Sequence, residues 1–239
     1  MSPPDLPRPD LSRPDMPRSD MPRPDMPGRG MPHPDLPRRD MPHRNEGRND
    51  GTLDRREVVA ELLRDPGDLL VVTGLGAATY DVGVLGDREH NFYLWGAMGG
   101  TAMVGLGLAL ARPDRRVLVI TGDGDMLMGM GSLASIAAAR ASNLAIAVLD
   151  NARFGETGSQ HSHTGLTTDL EAVAAACGWP ATATARDMAA VDALRPRLRA
   201  ESLFAVIRIS PEEKPRHLPP RDGAYVTERF RHALGIVEN

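Results

Sequence analysis

From Thr52 onward the chain alternates short apolar runs with stretches of helical length. The runs LLVVT (69–73), VLVIT (117–121), LAIAVLD (144–150) and SLFAVIRI (202–209) are apolar at consecutive positions rather than alternate ones. Such runs, bounded by turn signals, predict strands covered on both faces. A shorter strand is predicted near 181–185. Residues 55–64 read as an amphipathic helix, with Asp54 and Glu57 spaced as a capping box. Further helices are predicted over 99–111, 128–140, 169–177, 188–199 and 224–234. Gly74-Leu75-Gly76 opens a long loop to about Gly96. Thr79 stands in place of a third glycine and no helix is predicted to open there, so a dinucleotide fingerprint is rejected. Strands alternating with helices predict an α/β fold, a parallel sheet flanked by helices on both faces.

Residues 4–43 break this pattern with a pentapeptide repeat, PDLPR-PDLSR-PDMPR and variants. Thirteen of the 21 prolines fall in the first 43 residues. Proline at that density removes backbone donors, and the isolated Leu and Met residues are too sparse for a core. The expected organisation is therefore a disordered tail over 1–50 and one folded domain over 51–239. A net charge of -4 gives no basic excess for nucleic acid. Cys177 is the single cysteine, which excludes a disulfide framework and an iron–sulfur cluster. The longest apolar stretch, 97–111, is broken by glycines and too short to span a bilayer. A cytoplasmic protein without membrane contact is expected.

The chemistry concentrates in Gly122-Asp123-Gly124, followed after a helical stretch by Asn151. Asp123 and Asn151 each stand just past a predicted strand. A strand–helix–strand crossover brings both strand ends to one edge of the sheet, where open α/β sheets bind ligands. Two hard oxygen donors, one anionic and one amide, suit Mg²⁺ or Ca²⁺. Mg²⁺ fills the rest of its shell with phosphate and water, and the glycines flanking Asp123 let backbone approach a phosphate.

GDG, a spacer in the mid-twenties and then Asn resembles the cofactor signature of thiamine-diphosphate enzymes, here GDGDMLMGMGSLASIAAARASNLAIAVLDN. The resemblance extends over about 54–237, in the diphosphate-binding domain of that family. It implies thiamine diphosphate and Mg²⁺ as cofactors. It implies Asp123, Asn151 and the backbone carbonyl of Arg153 as metal ligands. Gly122, Gly124, Asp125 and the Gly74–Gly76 turn would contact the diphosphate. Gly96-Ala97-Met98-Gly99 resembles the segment under the cofactor's pyrimidine. There Met98 would wedge the cofactor into its bent shape and the Gly96 carbonyl would accept from the pyrimidine amine. Gly155, Glu156 and Thr157 follow the second metal ligand and are expected at the cofactor or substrate mouth, with Gln160.

NFYLWGAMGG, GDGDMLMGMGSLASIA and LDNARFGETGSQ with HTG are similar to sulfopyruvate and phosphonopyruvate decarboxylases. In that subgroup the pyrimidine-binding domain can be a separate chain. This sequence resembles the smaller, diphosphate-binding subunit. The implied partner is a pyrimidine-binding subunit in a hetero-oligomer, and the implied substrate a small 2-oxo acid. The family's catalytic glutamate is expected on the partner, since no residue here can be assigned to it. His161 and His163 are candidates for contact with an anionic substrate or for proton transfer; a solvated loop histidine is the plain alternative, preferred for His161. A carboligase subunit and a non-catalytic partner protein are the rival readings. Asn91, Phe92 and Tyr93 are read as partner contacts, Arg112, Arg115 and Arg116 as a solvated basic turn, and Cys177 as a buried structural cysteine.

Overall fold

The computed structural model describes residues 51–236. The predicted repeat tail lies outside the described residues. Six strands form one parallel sheet in the order β2-β1-β3-β4-β8-β7. They are β1 (Leu70–Thr73), β2 (Asn91–Tyr93), β3 (Val117–Gly122), β4 (Leu144–Asp150), β7 (Thr182–Ala185) and β8 (Phe204–Arg208). Two short strands, β5 (Arg153–Phe154) and β6 (Gln160–His161), pair antiparallel in a hairpin beyond β4. The helices are α1 (Arg55–Leu62), α2 (Ala77–Val84), α3 (Thr101–Ala111), α4 (Asp123–Met128), α5 (Ser132–Ala139), α6 (Leu170–Ala176), α7 (Met188–Ala200) and α8 (Gly223–Ala233).

Alternation along each strand divides the core between two faces. Leu118, Ile120, Ala145, Ala147, Ala205 and Ile207 pack against α1, α2 and α7. Val117, Val119, Leu144, Ile146, Phe204 and Val206 pack against α3, α5 and α6. Both sets are apolar, which is why the strands read as unbroken runs. Gly105 of α3 lies so close to the sheet that a Cβ there would sit 2.2 Å from Val119 Cγ2. The predicted α/β class is the observed one. Among the described residues no helix is long and apolar enough to cross a membrane.

Several local expectations are corrected. The stretch from Gly74 to Gly96 is not one loop, because α2 opens at Ala77 and β2 pairs with β1. Gly76, at φ 84°, turns the chain into α2, and the Thr79 hydroxyl then bonds the Gly74 carbonyl and the Thr73 hydroxyl. The helix predicted over 128–140 is α5, which starts only at Ser132; an unpredicted helix, α4, ends at Met128 and is parted from it by Gly129-Met130-Gly131. Asn91 and Tyr93 are buried within this chain: Tyr93 donates to Asp87 at 2.9 Å, and Phe92 packs edge-on to Phe230. Asn91 and Tyr93 are thus core residues of β2, and Phe92 is half-buried. The arginine turn is not merely solvated. Arg116 donates to the carbonyls of Ser142, Leu198 and Glu201, and Arg112 to that of Leu234. Cys177 is half-buried, at the end of α6.

Candidate functional site

Strand order reverses between β1 and β3: from β1 the chain first passes outward to β2 and then returns to β3 on the other side. A cleft lies there, at the carboxyl ends of the strands. Leu75, Ala77 and Ala78 after β1, Gly122 to Asp125 after β3, Asn151 after β4 and Ile209 after β8 form its walls. Gly122 pairs with Leu149 across β3 and β4, so Asp123 and Asn151 leave neighbouring strand ends. Both line this one cleft. This is the position at which open α/β sheets take ligands.

Asp123 is 2% exposed. Its Oδ2 accepts from the Ser162 hydroxyl and lies 3.1 Å from that of Thr164. Thr164 also lies 2.8 Å from Asp150 Oδ1 and 2.8 Å from Ser162 Oγ. Each hydroxyl carries one proton. Ser162 gives its proton to Asp123, and Thr164 gives its own to Asp150, the shorter of its two contacts. Asp150, fully buried, is paired with Arg208 on β8, the residue opposite it in register. Burial, with the Asp150 charge second, pushes the Asp123 carboxyl up to about 7 against the pull of the two hydroxyls. A buried carboxylate so penalised is a good match for a cation.

Beyond Asp150 the chain turns sharply. Ala152 holds φ 55°, a left-handed conformation uncommon outside glycine. Both of its backbone groups are engaged: its N–H donates to Asp150 Oδ1 at 2.9 Å, and its carbonyl accepts from Ser162 N at 2.9 Å. The Asn151 side chain accepts from Arg153 N at 2.9 Å, which fixes its amide and leaves a second lone pair on Oδ1.

Met98, Gly122, Asp123, Gly124, Asp125, Asn151, Arg153, Gly155, Glu156 and Thr157 are brought together in the cleft walls. Gly74, Gly76 and Gly96 stand outside those walls. A Cβ on Gly74 would meet Thr101, Asp125 and Thr121, so that position is packed against protein rather than open. Met98 is 45% exposed at the cleft, and Met128 joins it there. Asp125 is spent inside the protein, accepting from Thr121 Oγ1 and from Gly99 N. The His163 ring packs edge-on against Phe154 and is not part of the cleft wall. Ser162, Thr164, Asp150 and Arg208 were not singled out in the sequence. Their signal is weak, since Ser, Thr and an Asp–Arg pair far apart in sequence look like ordinary loop and strand residues.

The donor set fits a hard cation with a diphosphate. Among the described residues no three His, Cys, Asp or Glu gather closely enough to hold a metal. A cation held here would take one carboxylate, amide and carbonyl oxygens, and oxygens of its ligand. Side chains added at Gly122 or Gly155 would meet nothing closer than 4.0 Å, so the cleft has free space beside both backbones.

Residues 76–209 match the family described as thiamine pyrophosphate enzyme, C-terminal TPP binding domain. Sulfopyruvate decarboxylase subunit beta of Methanothermobacter thermautotrophicus is 34% identical over 188 residues, which are 78% of this chain and 99% of that one. Sulfopyruvate decarboxylase subunit beta of Methanocaldococcus jannaschii is 38% identical over 125 residues, 52% of this chain and 66% of that one. The benzoylformate decarboxylase crystal structure from Polynucleobacter necessarius shares the fold, with a TM-score of 0.57 and 16% identity over 68% of this chain and 34% of that one. With more than half of its length matched, the chain belongs to the thiamine pyrophosphate enzymes and carries their C-terminal TPP-binding domain.

Proposed function

We propose that this chain is the thiamine-diphosphate- and Mg²⁺-binding subunit of a two-chain 2-oxo acid decarboxylase. Its active site would be completed by a pyrimidine-binding subunit. The observation that carries the reading is the placement of Asp123 and Asn151 on adjacent strand ends in one cleft. The two-chain reading is supported by the near full-length match to a relative whose own name is that of a subunit. The preferred substrate class is a short 2-oxo acid bearing a β-sulfonate or phosphonate.

Bound thiamine diphosphate supplies the electron sink for loss of CO₂ from a 2-oxo acid. The chain's own residues bind and orient it. Asp123, the Asn151 amide and the Arg153 carbonyl hold the cation. Gly122, Gly124 and Gly155 let backbone come close to the diphosphate. Met98 gives apolar support from the cleft wall, while Leu75, Phe154 and Ile209 keep that wall dry. Glu156 and Thr157 stand at the mouth. The glutamate that activates the cofactor is expected from the partner.

Titration calorimetry with thiamine diphosphate and Mg²⁺, with and without the product of the neighbouring gene, tests this. Wild type should bind in a metal-dependent manner and Asp123→Ala should not. Equal binding by the two removes the basis of the reading. With the pair reconstituted, a free aldehyde supports decarboxylation, whereas an acyloin product favours the carboligase alternative.

A further inference from the structure

We propose that Ser162 and Thr164, anchored by the buried Asp150–Arg208 pair, are positioning residues that decide which oxygen of Asp123 faces the cation. The proposal rests on the reading of Asp123 as a cation ligand.

An aspartate carboxylate rotates about its last bond in a broad, two-fold well, so its two oxygens are interchangeable unless something distinguishes them. Here something does. Ser162 and Thr164 both approach Oδ2 and neither approaches Oδ1. Oδ2 is thereby turned into the protein, and Oδ1 is the oxygen these bonds leave for the cleft.

The two hydroxyls are themselves held. Thr164 is 1% exposed and sits 2.8 Å from Asp150 Oδ1. Asp150 cannot swing to follow it, because Arg208 holds its other oxygen and the Ala152 N–H shares Oδ1. Both members of the Asp150–Arg208 pair lie on central strands of the sheet. The line of contact from Arg208 through Asp150 and Thr164 to Asp123 thus starts on two interior strands paired with each other. Arg208 also compensates part of the Asp150 charge.

The same line ties the two proposed ligand segments into one unit. Asn151 and Arg153 open the loop that Ser162 and Thr164 close. Ser162 N donates to the carbonyl of Ala152, which stands between Asn151 and Arg153. The loop that presents the second ligand is therefore latched onto the first. Holding donors in place before the ion arrives lowers the ordering cost of binding it. Losing such supports typically weakens metal affinity about 10–100-fold.

The test uses the full chain with saturating thiamine diphosphate. Bound Mn²⁺ is counted from the paramagnetic resonance signal of the free ion. Thr164→Val keeps the shape and removes the hydroxyl. It should raise the Mn²⁺ Kd about 10–100-fold, while Thr164→Ser, which restores the hydroxyl, should return most of the affinity. Ser162→Ala removes the hydroxyl proton on Oδ2 and leaves Asp150 satisfied, so it should also weaken Mn²⁺ binding even if Thr164→Val fails to fold. A purely structural role would lower the melting temperature in chelator without this pattern of loss and rescue. Folded variants that bind Mn²⁺ as wild type does overturn the proposal. Failure of wild type itself to hold Mn²⁺ in the presence of the cofactor overturns the cation site, and this inference with it.

Discussion

Asp125 accepts the backbone proton of Gly99, 26 residues upstream, and so joins the GDG segment to the GAMG segment. Its other oxygen accepts from Thr121. Gly96 and Gly99 both hold left-handed φ values, 76° and 80°, and bracket Met98. The Met98 loop is thus a backbone shape that the Asp125 carboxylate pins at one end. Asp125→Ala leaves an amide and a hydroxyl without their acceptor. It should cost about 1–3 kcal/mol of stability and weaken thiamine diphosphate binding. Asp125→Asn keeps an oxygen for Gly99 and should lose less of both. Thermal melts and calorimetry on the two variants check this, and equal behaviour of Ala and Asn would refute the tether.

Gly129 presses the same loop from the other side. A Cβ there would lie 2.1 Å from the Gly99 carbonyl oxygen, a contact that only backbone movement can relieve. Gly129 has an ordinary negative φ of -100°, so close approach and not conformation requires the glycine. Gly129→Ala should destabilise the chain by about 1–3 kcal/mol and displace Met98 from the cleft wall. The expected reading is a lower melting temperature with weaker cofactor binding. An unchanged affinity would mean that the Met98 loop tolerates displacement.

The sheet was legible wherever burial on both faces made a strand apolar throughout, as in VLVIT and LAIAVLD. It was not legible at β2, because Asn91 and Tyr93 bury polar atoms whose partners, Arg88 and Asp87, come from the preceding loop. Helix α2 was hidden for a related reason. Its start at Gly76 has no side-chain cap, and its sequence, AATYDVGV, carries β-branched residues and a glycine. The Asp81 that looks out of place there is fixed by Arg55 at 3.1 Å and Arg56 at 3.3 Å from α1. That pairing links distant positions and leaves no local mark.

Arg208 and Asp150 form a pair with almost no exposure on either side chain. Arg208→Met removes the cation and leaves a buried carboxylate beside Asp123. Loss of one partner of such a pair costs about 3–5 kcal/mol. Chemical denaturation should show that drop in the absence of cofactor. Adding Asp150→Asn should recover part of it, because the uncompensated charge is gone. A single variant within about 1 kcal/mol of wild type would show that the pair is solvated.

The proposed ligands stood out in the sequence because GDG and Asn sit at strand ends at a fixed spacing. The groups that hold them did not. Ser162, Thr164 and Arg208 lie 39, 41 and 85 residues beyond Asp123, and only the sheet register and the loop latch bring them to it. Spacing along the chain encodes what neighbouring strands share. It does not encode which loop folds back onto a strand end.

The raised pKa of Asp123 gives the metal-free chain a particular pH dependence. Its carboxyl, at about 7 in the folded chain against 3.8 as the reference value, favours the protonated form on folding. That contribution is fully present below about 3.8 and is lost as pH rises through about 7. Other carboxylates in ion pairs act in the opposite sense, so the difference between wild type and Asp123→Asn isolates this one. Measured in chelator, the melting temperature of wild type relative to Asp123→Asn should fall from pH 5 to about pH 7 and level off by pH 8. Cation binding competes with that proton. Mg²⁺ with thiamine diphosphate should therefore stabilise wild type more at pH 8 than at pH 6, and Asp123→Asn little at either. A wild-type difference that stays level across this range would place the Asp123 carboxylate in a solvated setting, with its charge already compensated before any cation arrives.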